Sequence, residues 1–231
     1  MRWASVLVLA LILAGCGLPN IVFLAPPIEV TSIGGVDSRI VLFQHDASAN
    51  NFDDFLGYEL YYKLYTEADP QADLDRENIN DNLPPTESGL TSLGFRRFVA
   101  LESDTVLAND RPHISTSDFD RGASVVFSID LRERSITGVD DITVSWTNGS
   151  SATVTKQLRR NHTNSVILNP ADALSFWTQA DYSDSHQDYS FGANPTRLEI
   201  VVAVLSYGIS PSDLSQVFSE PLALDPSVLI I

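Results

Sequence analysis

The sequence predicts an all-β protein built as an antiparallel sandwich. Three observations predict it. Apolar residues recur with a period of two instead of 3.6, the runs are rich in Val, Ile, Tyr and Phe, and turn-forming residues separate them. The clearest run is 55–65 (FLGYELYYKLY), where Tyr58, Leu60, Tyr62 and Leu64 fall on one face and Glu59, Tyr61, Lys63 and Tyr65 on the other. This alternation predicts a strand with one buried face. A hydrophobic fraction of 44% over 231 residues supplies a sizeable core and does not fit a disordered stalk.

Ahead of the first predicted strand, Arg2 precedes an apolar run over 3–14 that ends in small residues. A charged start, a short apolar stretch and a small-residue end mark a secretory signal helix that is removed from the mature chain. Such a run reaches only about 18 Å as a helix, short of the roughly 30 Å of a membrane span. The quartet Leu13-Ala14-Gly15-Cys16 resembles the lipobox of bacterial lipoproteins, and Cys16 is the only cysteine in the sequence. The resemblance implies cleavage between Gly15 and Cys16, a diacylglyceryl thioether on Cys16 and acylation of the new amine. It therefore implies a lipid-anchored protein of the bacterial cell envelope. By the same resemblance, Gly17 in place of Asp points to the outer membrane. The expected organisation is a signal segment over 1–15, a lipidated linker over 16–27 and one enlarged sandwich over 28–231 with an insertion over 66–195.

Taken in order, the linker carries Pro19, Pro26 and Pro27 and leads into an edge strand, where proline is tolerated. Residues 39–45 (RIVLFQH) predict a strand and 46–54 a polar loop before the run over 55–65. Residues 67–88 are acidic, carry prolines and show no apolar period, which predicts a long surface loop. A short strand is expected over 96–101. A stronger one follows over 124–132, where Val125, Phe127, Ile129 and Leu131 alternate against Val126, Ser128, Asp130 and Arg132.

Over 142–156, Asn148-Gly149 between two alternating runs signals a hairpin. A two-residue loop would split the apolar side chains between the two faces. An odd loop gathers them on one face, so an odd loop is expected, with Trp146 opposite Ala152 and Val144 opposite Val154. Residues 164–168 predict a further strand, and 171–176 a helical turn behind the capping residue Asn169. Residues 196–207 (TRLEIVVAVLSY) are apolar on both faces, which predicts a central strand covered twice, with the insert over the second face. The last strand is expected over 217–230, interrupted at Pro221 and Pro226.

The segments Gly57-Tyr58-Glu59-Leu60-Tyr61-Tyr62-Lys63-Leu64-Tyr65 and PTRLEIVVAVLSYG (195–208) resemble the third and penultimate strands of a fibronectin type III domain. In that resemblance 198–208 and 218–224 form the last pair of strands, and it implies an antiparallel immunoglobulin/fibronectin III-like sandwich enlarged by inserted strands. Leu198 stands where the family has its corner tyrosine, and Phe43 where it has a buried tryptophan.

Acids outnumber bases 30 to 14, a formal charge of −16. Removal of 1–15 takes away only Arg2 among charged residues and leaves −17. So acidic a surface repels nucleic acid and anionic headgroups, which makes the lipid on Cys16 the expected membrane contact and excludes nucleic acid as a partner. No nucleophile elbow, HExxH pair or glycine-rich phosphate loop occurs, and His45, His113, His162 and His186 lack zinc-like spacing. No metal or cofactor is therefore expected. Asp73, Asp75 and Glu77 alternate like the start of an EF-hand, but Asn78 and Pro84 occupy its glycine and glutamate positions. Asp181, Asp184 and Asp188 form a second acidic stretch, read as solvated. Tyr61 and Tyr65 are the candidate binding surface for a protein or glycan, because tyrosines on a rigid sheet offer large contact area at low entropic cost. The alternative placement is beneath the insert. The expected role is binding or structural, without catalysis. The competing role is an envelope hydrolase, which needs two carboxylates roughly 5–10 Å apart in one pocket.

Overall fold

The computed structural model describes residues 22–30, 40–66, 68–102, 105–107, 111–131, 142–147, 152–159 and 197–230. Cys16 and the expected signal segment, Asn148-Gly149, the elements expected over 164–168 and 171–176, His162, His186 and the acidic stretch Asp181, Asp184 and Asp188 lie outside these residues.

Two long strands carry the molecule. β3 (Phe55–Thr66) pairs antiparallel with β11 (Arg197–Ile209) from Leu198 opposite Thr66 to Gly208 opposite Phe55. On one side of this pair β11 accepts three short strands in succession: β12 (Gln216–Phe218), β13 (Leu222–Ala223) and β14 (Ser227–Ile230). Pro221 and Pro226 lie at the breaks, as their missing N–H groups dictate. On the other side β3 takes β4 (Arg96–Arg97) and β7 (Ile114–Ser115). Gly57, at φ +145°, sits where β3 meets β7; a Cβ there would lie 1.8 Å from the Ile114 carbonyl oxygen.

The facing sheet has the order β1-β2-β8-β9-β10-β5-β6, with β1 (Ile28–Val30), β2 (Ile40–Gln44), β5 (Val99–Glu102), β6 (Thr105–Leu107), β8 (Val126–Asp130), β9 (Ile142–Thr147) and β10 (Thr153–Arg159). Every pairing in both sheets is antiparallel. β1 occupies the edge, where the prolines before it cost no ladder bond. The segment expected as one strand over 96–101 is two. The chain leaves one sheet after Arg97 and enters the other at Val99, with Phe98 buried between them and stacked on Tyr62 at 4.6 Å.

Alternation decides what fills the space between the sheets. Tyr58, Leu60, Tyr62 and Leu64 of β3 and Ile200, Val202 and Val204 of β11 meet Phe43, Phe127, Ile129, Val144 and Trp146 of the facing sheet in one apolar cluster. Val125, Phe127, Ile129 and Leu131 are all buried, as their spacing predicts, while Val126 on the opposite face is exposed. Phe43 stacks on Phe127 at 4.9 Å and meets Tyr58 edge-on at 5.2 Å.

The hairpin of β9 and β10 has the expected odd parity, but its register differs by two residues. Thr147 pairs with Thr153, so five residues (148–152) separate the strands, and Trp146 faces Val154 in place of Ala152. Val144 correspondingly faces Lys156, and Ile142 faces Leu158. This register still buries Trp146, Val144, Ile142 and Leu158, and lets the Lys156 ammonium reach Asp118 at 2.7 Å.

The outer face of the β3–β11 sheet corrects two expectations. Residues 67–88 do not form a surface loop, because they contain α1 (Pro70–Asn82) and lead into α2 (Glu87–Ser92). Asp69 caps α1 by accepting a hydrogen bond from the Gln71 amide at 2.9 Å, and Pro70 fills the first helical position. Ala72, Asp75 and Ile79 form the buried stripe of α1. β3 therefore has two buried faces, not one. Val201, Ala203 and Leu205 pack with Tyr61, Tyr65, Ala72, Ile79, Leu90 and Phe95 in a second cluster. β11 is covered twice as expected, and among the described residues it is helices that cover its outer face.

Candidate functional site

Tyr61 and Tyr65, proposed from sequence as an exposed binding surface, are 1% and 2% exposed, so that reading is corrected. Their alternation placed them off the inner core, but the helices close over them and their hydroxyls tie the helices down. Tyr65 donates to Asp75 Oδ2 at 2.8 Å, and Tyr61 donates to Glu87 Oε2 at 2.9 Å. Burial and the neighbouring carboxylates push both phenols above their ordinary range, so each keeps the proton it donates.

Asp75 is the centre of the first polar cluster. Its Oδ2 also accepts from the Lys63 ammonium at 2.6 Å, and its Oδ1 accepts from the Gln71 amide at 2.6 Å. Burial alone would raise this carboxyl, but the hydrogen bonds from Lys63, Gln71 and Tyr65 and the Lys63 charge outweigh it and hold the group below its ordinary value. Lys63 completes its coordination on the Leu93 carbonyl at 2.8 Å, over the Tyr65 ring. Both strand and helices are thus joined through one satisfied carboxylate.

The second cluster surrounds Glu59 at the β4 side of β3. Its carboxylate is fully buried and is bound in a fork by Arg97, with Nε on Oε2 and Nη2 on Oε1 at 3.2 Å. Arg111 lies 3.8 Å from Oε1 and reaches Glu87 Oε2 with its other end at 2.6 Å. Burial raises the Glu59 carboxyl, opposed by Arg97 and Arg111. His113, equally buried, accepts from the Leu60 amide at Nδ1 and so must donate from Nε2 to the Phe98 carbonyl at 2.9 Å. Burial and the nearby Arg97 and Arg111 charges hold its pKa well below the ordinary value. It is a neutral imidazole, and its 3.4 Å approach to Glu59 is not an ion pair. His45 repeats the pattern at the other end of the core: Nε2 donates to the Arg121 carbonyl at 2.8 Å, and Nδ1 accepts from the Tyr58 hydroxyl at 2.6 Å. Both histidines close backbone and core hydrogen bonds.

Among the described residues, Glu59 and Glu87 are paired carboxylates bridged by Arg111. Only Glu87 reaches solvent, since Glu59 is sealed. Glu29 and Asp225, bridged by Arg76, line a cavity of about 10 Å³, too small for a substrate. Asp73, Asp75 and Glu77 lie on α1, not in a loop, and among the described residues no group of three or more His, Cys, Asp or Glu could hold a metal ion.

A surface depression formed by the described residues has useful size. A groove of about 450 Å³ opens between Val22, Phe23 and Leu24 of the linker, residues 85–88 at the start of α2, and Gln216, Val217 and Phe218 of β12. Its polar end is Glu87, backed by Arg111, which also approaches Gln216 and the Phe218 ring. Phe23 is 75% exposed. No sequence pattern pointed to this groove, because its walls come from three segments that only the fold assembles. The charged clusters were equally hidden, since Asp75 and Glu87 fall in a stretch that reads as a surface loop and no pattern singles out Arg97 or Arg111. Only Asp69-Pro70 advertised the helix that brings Asp75 inward.

Among the described residues no helix is long and apolar enough to cross a membrane. Comparison with protein-family models, with curated proteins and with solved structures finds no match in any of the three.

Proposed function

We propose that this is a lipid-anchored protein of the bacterial cell envelope with a binding or structural role. The anchor rests on Leu13-Ala14-Gly15-Cys16 behind a short apolar run, and the sole cysteine stands where acylation requires it. The observation that carries the binding role is the groove itself. Six of its ten lining residues are apolar, and its one carboxylate, Glu87, is already engaged by Arg111 and Tyr61. Such a surface favours contact over acid–base chemistry, which requires a titratable group free to exchange a proton with a ligand.

The fibronectin-like reading of the scaffold belongs to the same proposal. What supports it is strand order: β1, β2 and β8 adjoin in one sheet, while β3, β11 and β12 adjoin in the other. That is the distribution of strands A, B and E against C, F and G in an immunoglobulin-type sandwich. On this reading β9, β10, β5 and β6 are strands added beside β8.

Metabolic labelling with a fatty-acid analogue tests the anchor. The protein should take up label and run as the cleaved form, whereas Cys16→Ser should remain uncut and unlabelled. A labelled Cys16→Ser chain would contradict the reading.

A further inference from the structure

We infer that the end of the molecule carrying Phe23 and Leu214 is a membrane-docking face, seated on the zwitterionic surface of the bilayer that holds the acyl anchor. The inference rests on the proposal that Cys16 is acylated and names what the groove face meets.

The argument begins with where the chain runs. Ala25 is fixed beside Ser206 of β11, whose hydroxyl donates to the Ala25 carbonyl at 2.6 Å, and Leu24 packs against Gly208. Read backwards from Ala25, the chain therefore follows β11 towards its C-terminal end. That end holds the turn between β11 and β12, closed by hydrogen bonds from the Ser210 amide to the Ser215 carbonyl and from the Leu214 amide to the Ser210 carbonyl, both 2.9 Å. Phe23, adjacent to the buried Leu24, projects at 75% exposure, and Leu214 at the turn is 78% exposed. These are the two most exposed large apolar side chains among the described residues. Leu214 also adopts φ +58°, a conformation unfavourable for leucine, in a place where water gains nothing from its side chain.

Phe23 lies seven residues after Cys16. A fully extended tether of that length spans at most about 25 Å, so an acylated Cys16 holds this end of the protein close to the headgroups whatever path the linker takes. Once the anchor has confined the protein there, insertion of two apolar side chains and the groove rim requires no separate association step. Interfacial contacts of this kind bury apolar groups about 5–10 Å into the headgroup boundary. Charge sets the lipid. Asp54 adjoins this end, Ile209 donating to its carbonyl at 3.1 Å; Asp53 beside it is paired with Arg121 at 2.7 Å, and Asp213 stands exposed in the turn. An anionic surface would repel Asp54 and Asp213, so a zwitterionic one is the partner that fits.

The test exploits the single cysteine. In the acylated protein the Cys16 thiol is consumed, so a cysteine introduced at Phe23→Cys, Leu214→Cys or Leu74→Cys takes up one environment-sensitive fluorophore. Leu74, 56% exposed on α1, is the control, because α1 packs its Asp75 beside Lys63, opposite Val201, well along β11 from Ile209. Each labelled protein is reconstituted into phosphatidylcholine vesicles containing a headgroup-region quencher. The expected result is a loss of fluorescence of at least about twofold at positions 23 and 214, and none at 74. Vesicle flotation with all three labels unquenched, or with position 74 alone quenched, would overturn the docking face and leave the anchor standing. Failure to float, with no acyl mass on the purified chain, would overturn the anchor reading and the docking face with it.

Discussion

The β3–β11 sheet buries both of its faces, and the two burials differ in chemistry. Towards the facing sheet it presents Tyr58, Leu60, Tyr62, Leu64, Ile200, Val202 and Val204, which need only volume and apolar neighbours. Towards the helices it presents Glu59, Tyr61, Lys63 and Tyr65 beside Val201, Ala203 and Leu205. There each polar group is buried only because named partners satisfy it. Glu59 requires Arg97, and Asp75 requires Lys63, Tyr65 and Gln71. The difference teaches that a strand can read as half-exposed and still be central, when the layer over its polar face supplies the complementary charges. The inner face resists substitution in proportion to size; the outer face resists the removal of a partner.

The largest effect is expected where a buried charge loses that partner. Arg97→Leu leaves Glu59 buried beside Arg111 alone, and urea unfolding at pH 7 should show a loss of about 3–5 kcal/mol. The loss should shrink as pH falls, because a protonated Glu59 no longer carries an unpaired charge. A pH-independent loss would show that Arg97 matters for packing and not for charge. On the inner face, Leu60→Ala should cost about 2–5 kcal/mol with no pH dependence of its own, since it removes only volume. A smaller value for Leu60→Ala than for Lys63→Ala would invert that order. Lys63→Ala is expected to cost about 1–3 kcal/mol, because Asp75 keeps Tyr65 and Gln71 as donors and the ammonium is a quarter exposed. From sequence alone this substitution on a polar face would have been expected to cost little.

The same chemistry explains what could be read in advance. Alternation over β3 and β8 reported the inner core because apolar burial leaves a periodic trace, and β11 reported double burial because both of its faces are apolar. The parity of the β9–β10 hairpin followed from gathering Trp146, Val144 and Ile142, but its exact register did not. Shifting by two residues keeps the same faces inward, and Lys156 with Asp118 helps select among such shifts. α1 escaped notice because the middle of its buried stripe is Asp75, not an apolar residue, so the helical period is interrupted where the sheet supplies Lys63 and Tyr65. Tyr61 and Tyr65 were misplaced for the reciprocal reason. Nothing local to β3 says that a segment bearing the matching acids will fold over them.

The most direct measurement of this account is the urea-unfolding free energy of the protein and of Asp75→Asn, side by side, from pH 7 down to about pH 2.5. The folded Asp75 carboxyl lies below its ordinary value of 3.8, so its contribution is present above that value and is lost as pH falls through the folded value. The expected result is a gap of about 1–3 kcal/mol at pH 7 that holds down to about pH 4 and closes below it. No gap at pH 7, or one that persists unchanged at the acid end, would contradict a helical layer held to the sheet through an ionised Asp75.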